Sequence, residues 1–209
     1  MPAPEPTTVL FVRHGATPTT GKKLPGRAPG LHLSPAGRAQ AERVAAAIAA
    51  LQHRPVAVYT SPLERTRETA APIARALGLR VRTERGLLEL DIGDWTGLTL
   101  KQAMRKPEWA MVQRWPSAFR FPGGETFGEL AARVTDTVHA LTRAHPRATV
   151  VAVSHADPIR ALVSSAVGAP LDLFQRLEIS TCSVSAITYL ADGPRVVCVN
   201  ASAEALVRT

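Results

Sequence analysis

The sequence predicts an α/β fold, a three-layer α/β/α sandwich around a mostly parallel central sheet, on three observations. The run Val9 to Val12 is apolar and β-forming and leads straight into Arg13-His14-Gly15, the composition of a buried strand that ends in a polar site. Thr149 to Val153 has the same character and also runs into a histidine, His155. Between and after these runs, helix-start signals alternate with strand-like stretches, as crossover helices between parallel strands require.

The elements follow in order. After the first strand, a Gly- and Pro-rich loop spans Pro18 to Leu33, at roughly 15 residues long enough to be functional. Ser34 and Pro35 read as N-cap and first residue of an alanine-rich helix with Ala36, Ala39, Arg43, Ala47 and Leu51 on successive turns, ending before Pro55. Val56 to Tyr59 is a second strand. Ser61 and Glu64 stand in capping-box spacing around Pro62, which predicts a helix start that carries Arg65 in its first turn and stops at Gly78.

Arg80 to Thr83 is a third strand, followed by a turn-rich segment from Leu87 to Gly97 with three carboxylates. Thr99 to Phe121 predicts one or two short helices. Thr126 and Glu129 form a second capping box for a helix reaching Ala144. Beyond the Thr149 strand, Asp157 and Pro158 suit the N-cap and first turn of a helix ending near Gly168. Ser183 to Leu190 and Arg195 to Val199 read as two final strands joined by Ala-Asp-Gly-Pro.

With 209 residues and 45% hydrophobic content the chain can form one sizeable core, and no linker, repeat or low-complexity tract divides it, so one domain over residues 1–209 is expected. The N-terminal Met-Pro-Ala-Pro-Glu-Pro-Thr-Thr lacks the basic start and apolar core of a signal peptide, and no apolar run is long enough to cross a membrane. A cytoplasmic protein without a membrane partner is the expectation. Cys182 and Cys198 read as two reduced thiols in strand-like surroundings.

The formal net charge is +8, mostly from arginine, but the arginines are scattered rather than striped with aromatics, so nucleic acid is not expected as a partner. Arginine forks also suit phosphate oxygens. The six histidines show no close ligand spacing, so neither a metal nor a nucleotide-loop cofactor is expected. His32, His53, His139 and His145 read as ordinary structural or surface residues.

His14 and His155 differ from these, because two strand ends deliver them to one rim of the sheet together with Arg13 and Arg65. In open α/β sheets ligands bind beyond the carboxyl ends of strands. Burying that much positive charge is costly without an anion, so the rim is expected to hold a tetrahedral dianion, and the partner to be a small phosphorylated metabolite.

In order along the chain stand Arg13-His14-Gly15 with Thr17; Ser61-Pro62-Leu63 with Arg65 and Thr69-Ala70; Glu89 with Gly93, Trp95 and Gly97; Pro122-Gly123-Gly124-Glu125 with Arg133-Val134; and Ser154-His155 with Ile159-Arg160-Ala161-Leu162. In these five ordered segments the sequence resembles the histidine phosphatase superfamily, in its phosphoglycerate-mutase-like branch.

The resemblance implies that His14 is the nucleophile that takes the phosphoryl group. It implies that Arg13, Arg65 and His155 bind the phosphoryl oxygens and that Glu89 is the general acid. It also sets Thr17, Thr20, Ala156 and Asp157 beside the substrate. Thr20 stands where many relatives carry asparagine, and Asp157 where most carry a small residue; Asp157 is read either as a helix N-cap or as a carboxylate bordering the pocket. Residues 98–122 correspond to the segment in which relatives vary in substrate choice, with Trp109, Trp115, Phe119 and Phe121 as packing or pocket wall and Arg105, Arg114 or Arg120 as a reader of a second charge.

The expected activity is metal-independent hydrolysis of small phosphomonoesters through a phosphohistidine on His14. The alternatives are a phosphoglycerate-type mutase, for which the stretch of about 25 residues between Gly97 and Pro122 is short, and an idle member of the fold that binds a phosphorylated ligand. A homodimer is compatible with the sequence.

Overall fold

The structure, a computed structural model, describes residues 6–206; the first five residues of the N-terminal stretch discussed above, and residues 207–209, lie outside it. Its strands are β1 (Thr7–Arg13), β2 (Ala57–Thr60), β3 (Val81–Thr83), β4 (Thr149–Ser154), β5 (Val184–Leu190) and β6 (Gly193–Ala201). The helices are α1 (Pro35–Ala49), α2 (Glu64–Leu77), α3 (Leu100–Ala103), α4 (Trp109–Arg114), α5 (Phe127–Ala144), α6 (Ala156–Ala166) and α7 (Ala203–Leu206).

The strand order is β3-β2-β4-β1-β5-β6. The first four of these neighbours pair in parallel, and the C-terminal β5–β6 hairpin joins the edge of β1 antiparallel. A two-residue side-chain period sorts each central strand between two cores. Val9 and Phe11 of β1 and Val150 and Ala152 of β4 pack beneath α5 and α6. Leu10 and Val12, with Val151 and Val153, pack beneath α1 and α2. The result is the expected α/β/α layering.

Local chemistry explains most boundaries. Ser34 caps α1 by accepting from the Gly37 N–H, with Pro35 at the first position. Thr126 and Glu129 close a reciprocal capping box at the head of α5. Gly78 ends α2 with φ 70°, a conformation that favours glycine. The buried face of α1 is Gly37, Ala41, Val44, Ala45, Ala47 and Ile48, so Ala36, Ala39 and Arg43 of the expected progression lie on the solvent side.

Two helix starts differ from expectation. α2 begins at Glu64, with Leu63 as an N-cap that makes no side-chain hydrogen bond. Ser61 is not its cap, because the serine hydroxyl is bound to His155. α6 begins at Ala156 with His155 in the N-cap position, so Asp157 lies inside the first turn and pairs with Arg160 three residues on. The cysteines are free thiols, Cys182 buried and Cys198 half-buried; Cys182 sits in the turn before β5 rather than in a strand, at φ 55°.

The aromatics of residues 98–122 divide. Phe119 and Phe121 are buried and pack on Trp95, which also stacks with Trp109 at 6.4 Å. Trp115 is left 62% exposed. Large rings give most transfer free energy when fully covered, so Phe119, Phe121 and Trp109 are packing residues of the core rather than a pocket wall.

Candidate active site

The sheet brings the site together at the carboxyl ends of β1, β2 and β4. Its ladders run one bond past the strand ends: the His14 N–H donates to the Ser154 carbonyl at 3.0 Å, and the Ser61 N–H to the Val153 carbonyl at 3.0 Å. Parallel register therefore aligns His14, Ser61 and His155 on one rim. The His14 and His155 rings meet edge to face at 5.3 Å.

The turn after His14 lies against the head of α1, and two glycines permit the approach. A Cβ at Gly37 would stand 2.0 Å from the Ala16 carbonyl oxygen, and one at Gly15 2.6 Å from the Gly37 oxygen. The Ala16 N–H donates to the Gln40 side chain at 2.9 Å, and the Ser34 hydroxyl donates to the Ala16 carbonyl at 3.0 Å.

His14 is buried, and its Nδ1 lies 2.8 Å from the carbonyl oxygen of Gly15. A carbonyl only accepts, so Nδ1 carries the proton and Nε2 keeps its lone pair. Burial, then Arg65 and Arg13, push the ring pKa down to about 3, against the hydrogen bond to Gly15. The imidazole is therefore neutral across the physiological range.

His155 is fully buried, with Nε2 2.9 Å from the Ser61 hydroxyl. Burial, followed by Arg65, His14 and Arg13, holds it well below its ordinary pKa. In the tautomer in which Ser61 donates to Nε2, the single ring proton sits on Nδ1.

Arg65 is completely buried in the first turn of α2, and one of its amino groups donates to the Gly26 carbonyl at 2.8 Å. Arg13 donates to the Ile179 carbonyl at 2.6 Å. Burial lowers the pKa of both arginines and Glu89 counters it. Among the described residues, the buried side-chain atoms without a hydrogen-bond partner include Arg13 Nε, Arg65 Nε and Nη1, and His155 Nδ1. With that tautomer of His155 they make four N–H donors from three residues around His14. Buried donors are nearly always paired, so such a group is built to receive an acceptor-rich anion.

Glu89 completes the set from the loop after β3. Burial, then Asp157, raise its pKa from 4.5 to about 7, against Arg65, the Leu90 N–H and Arg13. Its carboxyl is poised to give or take a proton near neutral pH.

The main chain under Glu89 is held by residues to which sequence reasoning assigned no role. Arg27 donates from Nε to the Glu89 carbonyl at 2.8 Å and forms ion pairs with Asp91 and Glu125. Arg133 bonds the carbonyls of Gly86 and Leu88 and pairs with Glu125 at 3.0 Å. Arg27 lies in an aperiodic loop whose length was its only signal. Ser61, too, reads in the sequence as a cap and as part of a family-like segment, with no role at the site.

The other expected site residues have mixed placements. Thr17 is buried at the site turn, and its N–H and hydroxyl lie 2.9 and 3.0 Å from the Thr20 hydroxyl. Thr20 thus closes the turn beneath His14. Ala156 opens α6, where the first N–H groups lack intrahelical partners. Asp157 acts electrostatically on both Glu89 and Arg13. Arg120 is tied to Glu129 and the Gly124 carbonyl, away from the role of reading a second charge. No group of three or more His, Cys, Asp or Glu among the described residues could hold a metal ion. No helix among them is long and apolar enough to cross a membrane.

Comparison with known proteins finds similarity over most of the chain. Residues 9–202 match the family model described as histidine phosphatase superfamily (branch 1). A bifunctional protein of Mycobacterium tuberculosis is 36% identical over 195 residues, covering 90% of this chain and 52% of the relative; the chain thus spans about half the length of the first curated relatives it matches. Phosphoserine phosphatase 1 of Hydrogenobacter thermophilus is 36% identical over 159 residues, 74% of each chain. Among solved structures, a mycobacterial glucosyl-3-phosphoglycerate phosphatase superposes with a TM-score of 0.83 at 27% identity, covering 94% of this chain and all of that one.

Proposed function

Because the chain belongs to the histidine phosphatase superfamily, we propose that it is a metal-independent phosphatase that hydrolyses small phosphomonoesters through a phosphohistidine on His14. The observation that carries this reading is the set of buried, unpartnered donors on Arg13, Arg65 and His155 beside a neutral His14 with a free Nε2. The phosphatases named among its relatives and structural neighbours support it.

In the first step the His14 Nε2 lone pair forms a bond to phosphorus while the ester P–O bond breaks, and protonated Glu89 gives its proton to the departing alkoxide. Arg13, Arg65 and His155 hold the three equatorial oxygens and offset the charge spread over them. In the second step Glu89, now a carboxylate, takes a proton from water as the water oxygen bonds to phosphorus. The P–N bond breaks, inorganic phosphate leaves, and His14 and Glu89 return to their starting states. Thr17, Thr20 and the Ala156 N–H line the phosphate's surroundings.

The test is hydrolysis of p-nitrophenyl phosphate with EDTA present, wild type beside His14→Ala, with acid-labile, base-stable phosphate on the protein followed in the same samples. Turnover and label in the wild type, both lost in the variant, are expected. Label without hydrolysis would favour a mutase, and neither would leave a phospho-ligand binder.

A further inference from the structure

Asp157 stands at the site rim close to His155, partly exposed, with its charge felt by both Glu89 and Arg13. It is the second residue of α6, two beyond His155. Its Oδ1 is fixed by Arg160 Nη1 at 3.0 Å and its side chain is 26% exposed. Oδ2 makes no hydrogen bond with any described residue. Its charge acts on Arg13, which faces the phosphate, and on Glu89, which faces the leaving oxygen. On the proposed mechanism the alcohol departs on the Glu89 side, which Asp157 adjoins.

The adjoining segment carries a further carboxylate. Arg160 Nε donates to the Leu177 carbonyl at 2.8 Å, and Arg13 Nη1 donates to the Ile179 carbonyl at 2.6 Å. These two bonds strap the segment before β5 to the site, and the residue between them is the exposed Glu178. The cations around the main chain of Glu89 and Asp157 are already engaged: Arg27 and Arg133 with Glu125 and with backbone carbonyls, Arg160 with Asp157 and Leu177. A second anion on the substrate would face Asp157 with no uncommitted arginine among these three. A cation there would find an open carboxylate oxygen.

We propose that Asp157 makes this site selective for phosphomonoesters whose alcohol carries an ammonium group, and that it disfavours those whose alcohol carries a carboxylate. Turnover of such substrates rests on the phosphatase reading above, whereas the binding preference does not. Like charges brought together in a partly desolvated pocket cost enough to set specificity.

The experiment compares two alkyl phosphates of equal length, phosphoethanolamine and phosphoglycolate, as a kcat/KM ratio in the wild type, Asp157→Asn and Asp157→Glu. Binding of the non-hydrolysable 2-aminoethylphosphonate and phosphonoacetate is measured by calorimetry on the same three proteins. The wild type is expected to favour the amino compound of each pair by about tenfold or more, Asp157→Asn to lose most of that ratio, and Asp157→Glu to keep it. Using ratios cancels any effect of Asp157 on Glu89 that is common to both substrates. A wild-type preference for the carboxylated member, or a preference untouched in Asp157→Asn, overturns the proposal. If no ester is turned over, the phosphatase reading fails visibly, and the phosphonate ratios still decide the role of Asp157.

Discussion

Replacing Glu89 by glutamine separates proton donation from phosphate binding, because the isostere keeps the shape of the side chain and removes its proton. With its pKa raised from 4.5 to about 7, about half of the molecules carry the acidic proton at pH 7. At the ordinary value the fraction would be about 1 in 300. Burial and Asp157 therefore increase the competent acid at neutral pH by roughly two orders of magnitude. An alkyl alkoxide needs that proton to leave and a nitrophenolate does not, so Glu89→Gln should lower kcat/KM for alkyl phosphates by about 10²- to 10⁴-fold and for p-nitrophenyl phosphate far less. The pH profile gives the second reading. On the proposed mechanism Glu89 must be protonated, so wild-type kcat/KM on alkyl phosphates should fall as pH rises through about 7, and that limb should vanish in the variant. His14, with its pKa near 3, adds no acid limb above about pH 4. Equal losses for both leaving groups, or a neutral-pH limb that survives the substitution, would refute the assignment.

Arg27→Lys keeps the charge but not the fork that joins the Glu89 carbonyl, Asp91 and Glu125; kcat on alkyl phosphates should fall by about tenfold or more with little change in KM, measured by steady-state kinetics. Gly37→Ala would put a Cβ 2.0 Å from the Ala16 carbonyl, and because backbone cannot swing aside, thermal unfolding should show a loss of about 2–4 kcal/mol together with lost activity from a displaced His14 turn. Buried neutral His14 and His155 have lowered pKa values in the folded state, so the unfolded chain binds more protons below about pH 6.5 and stability should drop as pH falls from there. Glu89 acts in the opposite sense: its raised pKa makes the folded state bind more protons between 4.5 and about 7, so stability drops as pH rises through that window. Melting temperatures across pH should accordingly show Glu89→Gln more stable than wild type above pH 7 but not below 4.5, and His14→Gln with a shallower acid decline.

The sequence by itself determined the layered α/β fold and the delivery of Arg13, His14, Arg65 and His155 to one rim, for reasons that are local. Apolar runs such as Val9 to Val12 and Thr149 to Val153 must be buried strands, and their polar ends must lie at a sheet rim. Caps at Ser34 and Thr126, and the stop at Gly78, are decided by a few adjacent residues and stand as read. What only the tertiary structure decided depends on groups far apart in the chain. Ser61 looks like a cap in isolation, but the parallel register of β2 and β4 sets it against His155, 94 residues away. Arg27 carries no periodic signal, and its role comes from Glu89, Asp91 and Glu125 meeting around one guanidinium. Phe119 and Phe121 could face a pocket or the core from sequence alone; Trp95 decides for the core. The raised pKa of Glu89 has the same origin, since burial and the nearness of Asp157, which drive it, exist only once three separate segments are packed together.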